Sequence, residues 1–207
     1  MTGAAWKVHQ ATSPTASRQL KSGCIGCLAA ICGLLFAPWI GWDLFVASQE
    51  AKRIPDKLSV GATIYQHEES FGFGGPGDAE TGLTLYHLSK DDAKRLLAKV
   101  KNLTNSDDIR QEMGRRPTRR DYYDWHATPF DLEKAGFPWD RLADDEPVSI
   151  SKILYRGGAF GIVVDSDVAQ EVDAILNAPG SFYASGPGST LIVVAPTQEL
   201  VIFAHAG

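Results

Sequence analysis

The longest apolar stretch of the chain lies near its amino terminus and contains no charged side chain. It covers residues 22–42, which as a helix rising about 1.5 Å per residue would span roughly 30 Å, the thickness of a bilayer's hydrocarbon core. Trp39 and Trp42 lie at one end of the run, where indole rings favour the membrane interface. A buried core helix would carry a polar stripe, and this run has none. The pattern therefore predicts a single transmembrane helix.

The charges around this run predict its orientation. Lys7, Arg18 and Lys21 precede it and no acidic residue does, so we expect the amino terminus in the cytoplasm and the large carboxy-terminal domain outside. A cleaved signal peptide, which would release a secreted soluble domain, is the alternative. Such peptides begin with a short basic segment, whereas 21 residues precede the apolar run here, and this difference favours a retained membrane anchor.

Small side chains recur every four residues within the apolar run, at Ala29, Gly33, Ala37 and Gly41. One helix face made of small residues lets a second helix backbone approach closely, so these positions are candidates for a helix–helix contact that would form a homodimer. The alternative is that alanine and glycine are simply common in membrane helices.

Composition divides the rest of the chain. Residues 1–21 are polar without apolar periodicity and are predicted to form a disordered cytoplasmic tail. Residues 43–57 are predicted to form a linker. Residues 58–207 are predicted to form an extracytoplasmic domain, long enough to bury a single substantial core.

Hydrophobic periodicity predicts an α+β fold for this domain. Alternating or continuous apolar runs predict strands, paired as hairpins, at residues 58–65, 82–88, 149–155, 160–164, 190–195 and 200–205. Helical spacing predicts two main helices at residues 90–103 and 167–177, and shorter helices near residues 106–113 and 130–143. Short links within the hairpins require antiparallel pairing, so we expect an antiparallel sheet with the two main helices packed on one face. The continuous apolar character of the last two strands predicts that they are central and covered on both faces.

Composition and charge exclude several classes of protein. The 207 residues are 44% hydrophobic and 22% charged, close to the globular average, which argues against a disordered chain or a disulfide scaffold. Residues 43–207 carry 17 bases and 25 acids, and this net charge of −8 argues against a nucleic-acid partner. The three cysteines all lie in or beside the apolar run, a pattern that suggests no redox, zinc or other cofactor site.

The loop between the first two predicted strands is a candidate ligand-binding site. Residues 72–77 satisfy the spelling of a dinucleotide fingerprint, but that fingerprint must lead into a helix and Gly82 begins a strand. Closure of the hairpin would bring polar side chains from both ends of the loop together, namely His67, Glu68, Glu69, Asp78 and Glu80. Metal-ligand spacing is absent, so no metal is assigned. The alternative is a solvated acidic loop.

Candidate chemistry elsewhere is sparse. Residues 115–120 contain four arginines beside an aromatic stretch, and we expect them to pair with nearby aspartates; contact with anionic lipid or an acidic partner is the alternative. His126 with Asp124 or Asp131 would supply a base and its orienting group, but no nucleophile motif accompanies them. A Ser-x-x-Lys spelling at residues 149–152 falls on a predicted strand and is discounted.

These patterns lead to one preferred functional hypothesis and two alternatives. The preferred hypothesis is a single-pass membrane-anchored protein whose noncatalytic outer domain binds a protein or a small ligand. An extracytoplasmic hydrolase or metal-dependent enzyme is the first alternative, and it would need convergent titratable groups in one pocket. The secreted soluble domain is the second.

Overall fold

The computed structural model describes residues 52–70, 80–116, 121–136, 147–156 and 162–206 of the chain. The predicted tail, the predicted membrane helix with its face of small residues, and most of the predicted linker lie outside these residues. Within the described ranges, no helix is both long enough and apolar enough to cross a bilayer.

The domain is built on a six-stranded sheet in which every pairing is antiparallel. The strands are β1 (Val60–Ser70), β2 (Glu80–Leu88), β3 (Trp125–Ala127), β4 (Phe182–Gly186), β5 (Thr190–Ala195) and β6 (Leu200–Ala206). They lie in the order β1-β2-β6-β5-β4-β3, so the last strand of the chain is central. The α+β class is therefore confirmed, as are the hairpins formed by β1 with β2 and by β5 with β6.

Five α-helices accompany the sheet in the described residues. They are α1 (Lys90–Lys99), α2 (Ser106–Met113), α3 (Leu132–Ala135), α4 (Ile150–Arg156) and α5 (Ser166–Asn177). Sequence reasoning predicted α1 and α5 from an apolar stripe at helical spacing, and it placed a short helix at α2 without such a stripe. Ser89 caps the start of α1, since its hydroxyl accepts the Asp92 backbone N–H at 3.2 Å.

Both faces of the sheet are covered by helices. Strand β5 shows this directly, because Leu191 and Val193 pack in one apolar cluster with α4 and α5, whereas Ile192 and Val194 pack in a second cluster with α1 and α2. We call these the α4–α5 face and the α1–α2 face. The prediction that the two main helices share one face is wrong, since every side chain of β5 is buried and both of its faces need cover. The prediction that β5 and β6 are central strands covered on both sides is confirmed.

The stretch predicted as a strand at residues 149–155 is helix α4. Ile150, Ile153 and Leu154 are all buried, at the spacing of one helical face rather than of a strand. Ser149 begins the helix, because its hydroxyl accepts the Lys152 backbone N–H at 3.3 Å. The companion strand predicted at residues 160–164 is also wrong over residues 162–164, which have no regular structure, and its first two residues lie outside the described ranges.

Two strands escaped sequence reasoning. Strand β4 contains Ala184, Ser185 and Gly186, which have low strand propensity, and it forms because β5 pairs with it along its whole length. Strand β3 has only three residues, too few for any period to show. Tertiary pairing, rather than local preference, decides both.

The packed structure includes residues 52–57, which were predicted to be the end of a linker. Ile54 is buried in the α1–α2 face, and the Tyr122 hydroxyl donates a hydrogen bond to the Arg53 carbonyl oxygen. The backbone N–H of Asp56 donates to the Arg115 carbonyl at 2.9 Å. We call residues 52–57 the entry segment.

The presence of a core on each face can be tested by cavity mutations. Leu96 in α1 and Leu176 in α5 are each 0% exposed, on opposite faces of the sheet. We expect Leu96→Ala and Leu176→Ala each to lower the free energy of unfolding by about 2–5 kcal/mol in denaturant titrations, because each leaves a cavity. Leu97→Ala is the matched control, since Leu97 is 43% exposed and its loss should cost less than about 1 kcal/mol. A Leu176→Ala cost as small as the control's would contradict a second core.

Candidate functional site

The residues predicted for the hairpin loop do not converge. His67 and Glu69 lie opposite Leu83 and Thr81 in the strand register, on the α4–α5 side of the sheet, and they pair with each other at 3.1 Å. Glu80 alternates with them and lies on the α1–α2 side, while Asp78 lies outside the described residues. The sheet therefore separates Glu80 from His67 and Glu69.

His126 and Asp124 also lie apart. The His126 ring stacks against Tyr183 on the α4–α5 side, with ring centres 5.4 Å apart. Asp124 faces α2 instead, with its carboxylate 3.5 Å from the Arg110 guanidinium. Asp131, the alternative partner, caps α3 and pairs with Lys134 at 2.9 Å, and this contact keeps the Asp131 pKa below its usual value. No base with an orienting carboxylate is assembled from these described residues.

The arginine-rich stretch is partly built into the domain. The Arg116 guanidinium lies over the Tyr122 ring, 5.4 Å from its centre, and donates to the Lys52 carbonyl at 3.0 Å. Asp121 accepts the backbone N–H of Arg116 at 2.9 Å. Arg119 and Arg120 lie outside the described residues. Arg116 therefore stabilises the entry segment rather than presenting a free basic group.

The structure assembles a different cluster of charged groups on the α1–α2 face, which we call the Arg53 cluster: Arg53, Glu68, Glu80, Gly82 and His205. Arg53 from the entry segment forms an ion pair with Glu68 of β1 at 2.8 Å. The same guanidinium lies over the Phe203 ring of β6, 5.0 Å from its centre. One cation thus joins the entry segment to both an edge strand and the central strand.

The close packing in this cluster requires a glycine at position 82. A Cβ at this position would lie 2.5 Å from both the Glu68 Cγ and the His205 Cε1. The register places Gly82 between these two residues, opposite Glu68 on one side and His205 on the other. The glycine is therefore needed so that the Glu68 and His205 side chains can both lie over this position.

His205 is the most unusual group in the cluster. Both of its ring nitrogens are buried, and neither has a hydrogen-bond partner among the described residues. Burial lowers the pKa of His205 below its ordinary value, and the Arg53 charge lowers it further, while Glu68 and Glu80 act in the opposite direction. The ring is therefore neutral at neutral pH, and both of its nitrogens are shielded from solvent.

Sequence reasoning missed this cluster for identifiable reasons. Arg53 was placed in a linker, and Glu68 and Glu80 were grouped with His67 and Glu69, which lie on the opposite face of the sheet. His205 lies on a predicted strand, where a hydrogen-bonded structural histidine is the ordinary expectation. The alternation of Phe203 and His205 in β6 was the available signal, because it places both rings on one face.

A shallow groove of about 440 Å³ lies beside α4. Its lining combines apolar and polar side chains, from Ser151, Lys152, Tyr155, Ile162, Val163 and Val164. Tyr155 is 68% exposed and Val163 is 83% exposed, unusual values for large apolar side chains in an otherwise well-packed domain.

Among the described residues, no group of three or more histidine, cysteine, aspartate or glutamate side chains could hold a metal ion. Comparison with protein-family models, with curated proteins and with solved structures found no match to this chain. Function is therefore inferred from the contacts and the burial of the described residues.

The role of Gly82 can be tested against a second strand glycine. We expect Gly82→Ala to lower the free energy of unfolding by about 1–3 kcal/mol, because the added methyl group must displace Glu68 or His205. Gly61→Ala is the matched control, since the nearest atoms to its new Cβ would lie at 3.7 Å. Denaturant titrations of both variants provide the measurement. Equal stability of the two variants would show that the cluster yields easily and that its close packing is not required.

Proposed function

We propose that this chain is a single-pass membrane protein and that its outer α+β domain is a noncatalytic binding module for a protein partner. The charge-free run at residues 22–42 supports the membrane anchor, and the bases that precede it support a cytoplasmic amino terminus. The face formed by Ala29, Gly33, Ala37 and Gly41 supports homodimerisation through the anchor.

One observation carries the noncatalytic part of the proposal: the described histidines do not meet a catalytic partner at an open cavity. The His205 nitrogens are sealed inside the Arg53 cluster, and His126 stacks on Tyr183. His67 and His87 are partly exposed, and each lies near a single carboxylate, that of Glu69 for His67 and that of Glu199 for His87. General acid–base chemistry needs a titratable group within reach of substrate, and this arrangement favours binding over catalysis.

The groove beside α4 supports a protein as the partner. Protein interfaces combine an apolar centre containing aromatic side chains with a polar rim. Tyr155 and Val163 supply exposed aromatic and apolar side chains to the groove, and Ser151 and Lys152 supply polar ones. The lining has few polar groups in fixed positions, which a small polar ligand would require for specificity.

Membrane topology can be tested by site-specific labelling. In a full-length chain with Cys24, Cys27 and Cys32 replaced by serine, single cysteines are introduced by Thr12→Cys and by Glu171→Cys, an exposed position on α5. We expect a membrane-impermeant maleimide to label position 171 in intact cells and position 12 only after lysis. The reverse pattern would contradict the orientation. A mature amino terminus near Gln49, found by sequencing, would instead establish the secreted form.

The groove can be tested by photo-crosslinking in the cells that express the protein. A photoreactive side chain replaces Val163, and the control replaces Leu97, which is also exposed but lies on the α1–α2 face. We expect a discrete adduct from position 163 and none from position 97. Addition of Tyr155→Ala should reduce the yield by roughly fivefold or more, because exposed aromatic residues dominate interface energies. The same adducts from both positions, or no adduct from position 163, would contradict the groove as the binding surface.

A further inference from the structure

We propose that the Arg53 cluster is a pH-sensitive clasp, which holds the entry segment against the sheet at neutral pH and loosens it when His205 takes up a proton. The clasp follows from the geometry of the folded domain and does not depend on the proposed membrane location. Its consequence does depend on that proposal, because the entry segment would then be the part of the domain that follows the membrane anchor along the chain.

The clasp joins the entry segment to two strands of the sheet. Arg53 connects the entry segment to β1 through its ion pair with Glu68, and to β6 through its contact with the Phe203 ring. The segment's other described polar contacts lead to α1, to α2 and to the residues that follow α2. Examples are the Lys57 ammonium, which donates to the Gln111 carbonyl at 2.6 Å, and the Arg115 backbone N–H, which donates to the Asp56 carboxylate at 2.9 Å. The Arg53 guanidinium is therefore the charged link between this segment and the sheet.

His205 is influenced by charged groups from three elements. The charged groups that act on the ring are Arg53 from the entry segment, Glu68 from β1 and Glu80 from β2. On its own strand the ring lies beside Phe203, with centres 5.6 Å apart. A neutral imidazole fits this setting because it adds no second positive charge beside Arg53. Neither nitrogen has a hydrogen-bond partner among the described residues, so the charged form is favoured only by the charges of Glu68 and Glu80.

One proton taken from water converts the His205 imidazole into an imidazolium and changes its interactions. The imidazolium has two N–H donors that need acceptors, and the Glu68 side chain, which lies beside Gly82 as the His205 ring does, offers a carboxylate. Glu68 already binds Arg53, so the imidazolium both competes for this carboxylate and repels the guanidinium. Because charges inside a protein interact more strongly than they do in water, we expect the link between Arg53 and the sheet to weaken first.

The direction of the pH dependence follows from the environment of His205. Burial and Arg53 lower its pKa in the folded domain, so the unfolded chain binds a proton at a higher pH than the folded domain does. The contribution of the neutral ring to stability is therefore complete above the unfolded pKa of about 6.5. It declines as the pH falls towards the lowered pKa. We expect the loss to open the structure locally at the entry segment, because Arg53 is the charged link between that segment and the sheet.

The test is hydrogen exchange on the full-length chain in detergent micelles, followed by mass spectrometry and corrected for the intrinsic pH dependence of exchange. Between neutral pH and about pH 5 we expect protection of residues 54–58 to fall roughly tenfold or more, while residues 190–195 of β5 stay protected. His205→Gln should abolish this pH dependence. His87→Gln, the matched control, should retain it, because His87 is a partly exposed histidine of β2 and lies outside the cluster.

A second variant tests the same clasp if His205→Gln fails to fold. Glu68→Gln removes the partner of Arg53 and should reduce protection of residues 54–58 already at neutral pH. The proposal is overturned if wild-type protection is the same at both pH values, if His205→Gln keeps the pH dependence, or if β5 loses protection equally. Labelling at positions 12 and 171 reports on topology separately, so failure of the clasp and failure of the membrane proposal are distinguishable.

Discussion

The structure depends on the placement of β6, the last strand of the chain, at the centre of the sheet between β2 and β5. A central antiparallel strand with apolar residues on both sides must be covered by a layer on each face. Ile202 and Ala204 accordingly pack on the α4–α5 face, and Val201 and Phe203 on the α1–α2 face. This requirement divides the helices between two cores, and it brings the carboxyl end of the chain against the entry segment.

The two faces differ in how they end, and this difference organises the functional proposals. On the α1–α2 face, Arg53 and Glu68 cover His205 and close the end of the core with charged groups. On the α4–α5 face, the core ends at a groove where Tyr155 and Val163 remain exposed. A sealed ionic cluster is suited to control of packing by pH, whereas an open apolar groove is suited to contact with another molecule.

Local sequence patterns predicted the elements in which apolar side chains recur at a regular spacing or fill the whole element. The stripes of α1 and α5 and the uniformly apolar β5 and β6 belong to this group. Strand β4 was not predicted, because its pairing with β5 rather than its composition makes it a strand. The Arg53 cluster was beyond local reasoning, because Arg53 and Glu68 come from the start of the domain and His205 from its end. Only the sheet order, with β6 beside β2, brings them together.

Helix α4 changes the structural context of the Ser-x-x-Lys spelling. The Ser-x-x-Lys spelling at residues 149–152 was discounted because a strand was expected, yet these residues begin a helix, as the motif requires in enzymes. The described contacts give these residues a structural role. The Ser149 hydroxyl accepts the Lys152 backbone N–H, and the Asp173 carboxylate, whose pKa is raised by burial, accepts the Ile150 backbone N–H at 2.6 Å. Both side chains satisfy free N–H groups of the first helical turn, so Ser149 and Asp173 cap α4.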